Sequence, residues 1–60
     1  MLVRFDIRPG ATGWMVVDRR TRTVARVDEA EALGLEEEDA GEIADLLNTL
    51  DFLRRGTPVH

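Results

Sequence analysis

Four arginines lie within eight positions near the middle of the sequence, and guanidinium groups bind phosphates and carboxylates with good geometry. They are Arg19, Arg20, Arg22 and Arg26, in the stretch WMVVDRRTRTVAR that begins at the only tryptophan, Trp14. On a two-stranded ribbon they could contact a nucleic-acid backbone. They could also form the solvated turn of a hairpin, paired with the chain's own acids, or contact a protein partner.

The overall charge argues against nucleic acid as the partner. The chain carries a net charge of −4 and an isoelectric point near 4.7, whereas nucleic-acid-binding domains are strongly basic. No aromatic residue is interleaved with the arginines after Trp14 to stack on bases. The charge is also asymmetric, because residues 1–27 carry +4 and residues 28–60 carry −8. We therefore expect a solvated turn near the acidic segment.

The acidic run LEEEDAGEIAD is the second group with potential chemistry. Glu38, Glu42 and Asp45 share one helix face by their spacing, and carboxylates alone would hold only Mg²⁺ or Ca²⁺ weakly. The chain has no cysteine, and its only histidine is His60. We expect helix-start acids on a solvated face, with no metal site and no cofactor.

The sequence contains few side chains that could catalyse a reaction. Serine, cysteine and tyrosine are absent, and none of the five threonines has a positioned base to activate it. A chain of 60 residues can hardly enclose a dry pocket between paired carboxylates. We expect no enzymatic activity and no small-molecule substrate.

Composition indicates a globular chain in the cytoplasm. The hydrophobic fraction is 43% and the charged fraction 33%, which excludes a disordered chain. No apolar run approaches the roughly 20 residues of a membrane span. The opening MLVRFDIR carries charges and lacks the apolar region of a signal peptide. We therefore expect no membrane association.

Three strands and one helix follow from the pattern. Alternation in LVRFDIR predicts a strand over about 2–8, with Arg4, Asp6 and Arg8 opposite the apolar side chains. Further strands are predicted over about 14–18 and 23–27, joined by a hairpin turn in which Asp18 accepts backbone hydrogen bonds. The connection RPGATG should take six residues.

The second half should contain the helix. Glu36 to Asp39 precede apolar residues at helical spacing, and Arg54 and Arg55 suit the carboxyl end of the helix dipole. Gly56 and Pro58 then stop it, so the helix should cover about 36–55. Before it, residues 29–33 form either one helical turn capped by Asp28 or an irregular crossing.

The predicted architecture is α+β, a three-stranded antiparallel meander with one C-terminal helix on one face (βββα), in a single domain over 1–60. The middle strand is apolar at every position from Trp14 to Val17. One helix covers only the face bearing Val3, Phe5 and Ile7, so two of those four side chains should lie on the other face. Such an apolar strip with an arginine rim is typical of an interface.

Two stretches resemble a group of short bacterial proteins from GC-rich genomes that have no assigned activity. They are the start GWMVVD (Gly13, Trp14, Val16 and Asp18) and the end ADLLNTLD (Ala44 to Asp51), within residues 13–51. The resemblance implies a small ββα or βββα fold. The chain departs from the group's pattern at two turns, where Arg22 and Glu29 stand in place of glycine.

We therefore predict a small non-enzymatic interaction module that self-associates or docks on a larger protein through the sheet face. The predicted partner-binding residues are Trp14, Met15, Val16, Val17, Arg4, Arg8 and Arg26, with Trp14 placed either in the core or at the interface. The alternative is an acidic inhibitor or nucleic-acid mimic of the phage-antagonist type, such as an anti-CRISPR protein, acting through the acidic helix face.

Overall fold

Five short strands precede one long helix in the computed structural model, which describes residues 3–55. The elements are β1 (Phe5–Gly10), β2 (Gly13–Asp18), β3 (Thr23–Val24), β4 (Arg26–Val27), β5 (Ala30–Glu31) and α1 (Glu37–Arg54). Strands β1, β2 and β3 form an antiparallel sheet in that order, and β4 pairs with β5. The predicted α+β class, a three-stranded antiparallel sheet with one C-terminal helix, is confirmed. Leu2, the stop signals Gly56 and Pro58, and His60 lie outside the described residues.

The first hairpin is tighter than the predicted six-residue connection. β1 continues through Pro9 to Gly10, and only Ala11 and Thr12 separate it from β2. Pairing runs from Phe5 opposite Asp18 to Gly10 opposite Gly13. Pro9 remains in the strand because β1 is an edge strand, where a missing N–H removes no ladder bond.

The segment predicted to be a third strand over 23–27, followed by either a helical turn or an irregular crossing over 29–33, is instead two short strands and a second hairpin. β3 pairs with β2, and the chain then bends at Ala25 so that β4 pairs with β5. Asp28 and Glu29 connect β4 to β5 with φ angles of 52° and 69°. Positive φ at both central residues is the geometry of a type I′ turn, so residues 29–33 form neither the helical turn nor the irregular crossing that the sequence left open.

The pairing register divides β2 between the two faces of the sheet, since directly opposite residues share a face. Trp14 and Val16 lie with Ile7 on the face that α1 covers, whereas Met15 and Val17 lie with Arg8 on the other face. Val16 is fully buried, and the other three apolar residues of β2 are half-buried. As predicted, the middle strand β2 therefore places two of its four apolar side chains on each face of the sheet.

Small side chains fill the core between α1 and the sheet. The buried apolar residues are Phe5, Val16, Ala25, Ala32, Ala40 and Ala44. Four of these six are alanines, so the helix approaches the sheet closely at Ala40 and Ala44. Gly13 permits a second close approach, because a Cβ there would lie 2.9 Å from the carbonyl oxygen of Leu35.

The outer edge of β1 is occupied by side chains. The Phe5 N–H donates to Asn48 Oδ1 at 2.8 Å, and Asn48 Nδ2 donates to the Phe5 carbonyl at 3.0 Å. Two residues along, the Ile7 N–H donates to Asp6 Oδ1 at 2.8 Å, and Pro9 has no N–H to offer. This edge therefore presents few groups to a further strand, which protects it from edge-to-edge pairing.

Glycine at position 29 should stabilise the second hairpin. A left-handed conformation costs a residue with a Cβ about 1–2 kcal/mol, and the greater chain entropy of glycine offsets part of the gain. We expect Glu29→Gly to raise the free energy of unfolding by about 0.5–1 kcal/mol in urea titrations. Glu37→Gly, in the first turn of α1, is the matched control and should lower it by about 1 kcal/mol. A lower urea midpoint for Glu29→Gly would contradict the turn assignment.

Removing the Asn48 amide should weaken the contact between α1 and β1. Asn48→Ala leaves the Phe5 N–H and carbonyl without their partner, and we expect a loss of about 1–3 kcal/mol in thermal unfolding. Because the β1 edge is then open, the variant should also aggregate more readily. Thr49→Ala removes only an exposed bond to the Asp45 carbonyl and should change little. Equal stability of the two variants would show that the amide does not hold the helix in place.

Candidate interaction surfaces

A four-membered network of alternating charge joins β1, β2 and α1. Arg4 Nε and Nη2 donate to the two carboxylate oxygens of Asp18 at 3.0 and 2.9 Å, and Nη1 donates to Asp51 Oδ1 at 2.9 Å. Arg55 approaches the other oxygen of Asp51 at 3.2 Å. Both aspartates are buried, so the network lies at the end of the core and fixes the last turns of α1 against the sheet.

The geometry of this network sets its protonation. The bidentate hydrogen bonds from Arg4 lower the pKa of Asp18 below its usual value, although burial acts in the opposite direction. Asp18 and then Asp51 raise the pKa of Arg4 by accepting its hydrogen bonds. Asp18 also accepts the Arg20 N–H at 3.0 Å, as predicted for an aspartate in the hairpin turn. Arg4 and Asp18 are therefore both ionised at neutral pH, and each stabilises the charge of the other.

The three arginines predicted at the interface rim have different environments. Arg4 was predicted on the face away from the helix, but it reaches α1, because it precedes β1 and does not follow the alternation of that strand. Arg8 lies on the far face, where its side chain is exposed and 3.7 Å from Asp6. Arg26 is exposed and donates to the Glu29 carbonyl, across the type I′ turn.

The four apolar residues predicted to bind a partner do not form one patch. Trp14 and Val16 belong to the helix-facing side, where Trp14 packs against the core and pairs with the Leu35 backbone. Only Met15 and Val17 remain for the far face, and both are half-buried. The structure therefore divides this set and brings only two of its members together on the far face.

The arginine turn is a solvated loop. Arg19, Arg20 and Arg22 are exposed, and within residues 3–55 their guanidinium groups form no ion pair. Arg19 and Arg20 border an open groove together with Arg4 and Arg55. Asp18 and Asp51 already balance the charges of Arg4 and Arg55. The internal pairing expected for the cluster is thus made by Arg4 instead.

Four of the six large apolar side chains that are exposed within residues 3–55 lie on α1. Leu46, Leu50 and Leu53 are 58%, 40% and 59% exposed, and their spacing places them on one stripe of the helix. We call these three residues the leucine stripe. The three-four spacing of Ala40, Ile43, Leu47 and Leu50 predicts that Leu50 lies on the covered face, whereas the helix buries Ala40, Ala44 and Asp51 there. The polar contacts of Asn48 and Asp51 turn that face inward, which apolar spacing alone did not reveal.

An open groove runs beside the leucine stripe. Helix α1 packs on β1 and β2, and this leaves a cleft of about 400 Å³ on the β3 side. Leu47, Leu50 and Arg54 form its helix wall, and Thr23 and Arg26 lie opposite. Phe52, 49% exposed, lies on the other flank of the helix, beside Val3 and Asn48.

Within residues 3–55, no three carboxylate or histidine side chains converge to hold a cation, so the predicted face of Glu38, Glu42 and Asp45 is not assembled into a site. No helix in the same range is long and apolar enough to cross a bilayer.

Comparisons with known proteins give no family for this chain. No protein-family model, curated protein or solved structure matches it.

Removing Arg4 should destabilise the fold far more than removing another arginine of the same segment. Arg4→Met leaves buried Asp18 without a cation and Asp51 with only the exposed Arg55, and we expect a loss of about 3 kcal/mol in urea unfolding. Arg8→Met, which breaks only an exposed contact, should cost less than about 0.5 kcal/mol. Similar losses in both variants would contradict a central role for the network.

The same network predicts the acid sensitivity of the fold. Because the pKa of Asp18 is lowered on folding, its contribution is present above the unfolded value of about 3.9 and is lost as pH falls through the folded value. Wild-type stability should therefore fall on acidification below about pH 4, and Arg4→Met should show a smaller fall. Parallel pH profiles of the two proteins, measured by thermal unfolding, would rule this out.

Proposed function

We propose that this chain is a non-enzymatic protein-interaction module that self-associates or docks on a larger protein. One observation carries the proposal: three leucines of α1 are exposed to solvent, whereas most of the fully buried apolar residues are small. The core is built mainly from alanines, while Leu46, Leu50 and Leu53 are at least 40% exposed. A contiguous exposed apolar stripe on a small domain is characteristic of a protein-interaction site.

Energetics support a partner for the leucine stripe. Complete burial of a leucine contributes about 1.5–3 kcal/mol, so covering the exposed part of each stripe residue adds about 1 kcal/mol. A domain of 60 residues with a core built mainly from alanine has a small free energy of unfolding. It has no disulfide to supplement that core, and association would stabilise it by mass action.

The sheet face that the sequence favours is a weaker docking surface. Met15 and Val17 are half-buried there, and Asp6 and Arg8 border them. The interaction surface is therefore placed on α1, with the sheet face as the competing surface that mutation can test. The non-enzymatic character rests on the side-chain inventory, which lacks serine, cysteine and tyrosine.

A second candidate function, the acidic inhibitor or nucleic-acid mimic, is favoured by the exposure of Glu36, Glu37, Glu38 and Asp39 at the start of α1. Binding through these carboxylates to a basic channel would weaken steeply with salt. Binding through the leucine stripe would change little. Salt dependence of the first complex identified therefore separates the two functions.

A glutamate in the stripe should abolish association. We expect Leu46→Glu to keep the fold, because the side chain is 58% exposed, and to remove the higher-mass species in size-exclusion chromatography with light scattering. Phe52→Glu, on the other flank of the same helix, is the matched control and should retain that species. Measurements should cover the purified chain and the tagged chain in extract of its host cell.

The competing surface has its own variant. Val17→Thr keeps the shape of the side chain on the sheet face and adds a hydroxyl. If it removes association while Leu46→Glu does not, the sheet face is the docking surface. A wild-type chain that is monomeric both in purified form and in extract would contradict the proposed function.

A further inference from the structure

We propose that a second copy of this chain covers the leucine stripe, with the two α1 helices packed antiparallel about a two-fold axis. This inference rests on the proposed function and names the partner. It follows from the spacing of the stripe, from the charges at the two ends of α1 and from the protected edges of the sheet.

Together with Ile43, which is half-buried beside the core, the leucine stripe has the spacing of a short coiled-coil seam. Ile43, Leu46, Leu50 and Leu53 are separated by three, four and three residues, which is the alternation of a and d positions in a heptad. In an antiparallel pair, a positions of one helix lie beside d positions of the other. Ile43 then meets Leu53 of the second copy, and Leu46 meets Leu50 of the second copy. One two-fold axis satisfies all these contacts, so the seam is self-complementary.

Charge selects the antiparallel orientation. The first turn of α1 is acidic, with Glu37, Glu38 and Asp39, and its last turn carries Arg54. A parallel pair would place the acidic ends together, whereas an antiparallel pair places each acidic end beside a basic one and also opposes the helix dipoles.

One specific contact follows from this orientation. Asp39 lies one heptad before Leu46, on the line of the stripe, and Arg54 follows Leu53. With Ile43 beside Leu53 of the second copy, Asp39 lies within one helical turn of Arg54 of that copy. Within residues 3–55, neither side chain is engaged in an ion pair, so both are available for a contact between subunits.

The sheet offers copies of the chain no comparable contact. Asn48 and Asp6 occupy the outer edge of β1, and the other edge strand, β3, has only two residues. The groove beside Leu50 and Arg54 leaves the approach to the stripe open on the β3 side. Association through side chains of α1 is therefore favoured over extension of the sheet.

A charge exchange tests the pairing. Asp39→Arg and Arg54→Asp should each raise the dimer dissociation constant about tenfold, because two-fold symmetry turns two attractive contacts into two repulsive ones. The double variant D39R/R54D should return it close to the wild-type value, although it opposes the helix dipole within each subunit. Sedimentation equilibrium at low salt measures all four proteins, and high salt should reduce the differences.

The outcomes separate this inference from the proposed function. A wild-type dimer that Leu46→Glu dissociates, without recovery in the double variant, overturns the antiparallel pairing and leaves the interaction module standing. A purified chain that is monomeric at every concentration, while Leu46→Glu alters a complex in extract, overturns the second copy as partner. A monomer in both settings overturns the two together.

Discussion

Close approach of one helix to a small sheet is the constraint on which the rest of the structure depends. Ala40 and Ala44 pack in one cluster with Val16 and Phe5. Alanine side chains bury too little apolar surface to hold the helix in one position on the sheet by themselves. Polar contacts fix the position of α1 relative to β1. Asn48 binds the backbone of Phe5, and Asp51 binds Arg4. Since Ala44, Asn48 and Asp51 follow one helix face, the larger apolar residues of α1 must lie beside it.

That arrangement explains why apolar surface remains outside. A face built from alanine, asparagine and aspartate leaves Leu46, Leu50 and Leu53 on the neighbouring stripe, where the sheet is too narrow to reach them. At the same time, the Asn48 amide occupies the edge of β1, so the contacts that hold the helix also remove the β1 edge as a route to strand pairing. The same internal contacts would therefore favour a partner that binds the exposed side of α1 over one that adds a strand to the sheet.

Much of the fold could be predicted from local patterns, because those patterns reflect the backbone directly. Alternation in β1, the apolar run of β2, and the acidic start and basic end of α1 each correspond to an element of the structure. The second hairpin could not be predicted in this way. Its type I′ turn uses Asp28 and Glu29, and without a glycine the segment has the appearance of a capped helical turn.

The surface was harder to predict than the fold. Apolar periodicity places Leu50 inward, but the orientation of α1 depends on Arg4 and Asn48, whose partners are more than 40 residues away in sequence. The three-four-three spacing from Ile43 to Leu53 was the available signal, and a helix with apolar residues on several faces obscures it. Trp14, open between core and interface in the sequence, lies against the core because its register opposite Pro9 places it on the helix side.

Isotope-filtered NMR tests the central claim most directly. In an equimolar mixture of labelled and unlabelled chains, only contacts between subunits give filtered nuclear Overhauser effects. Antiparallel packing of two α1 helices predicts such effects between the methyl groups of Leu46 and Leu50, and between those of Ile43 and Leu53. Their absence at the highest concentration the protein tolerates, or their appearance at Met15 and Val17 instead, would contradict it.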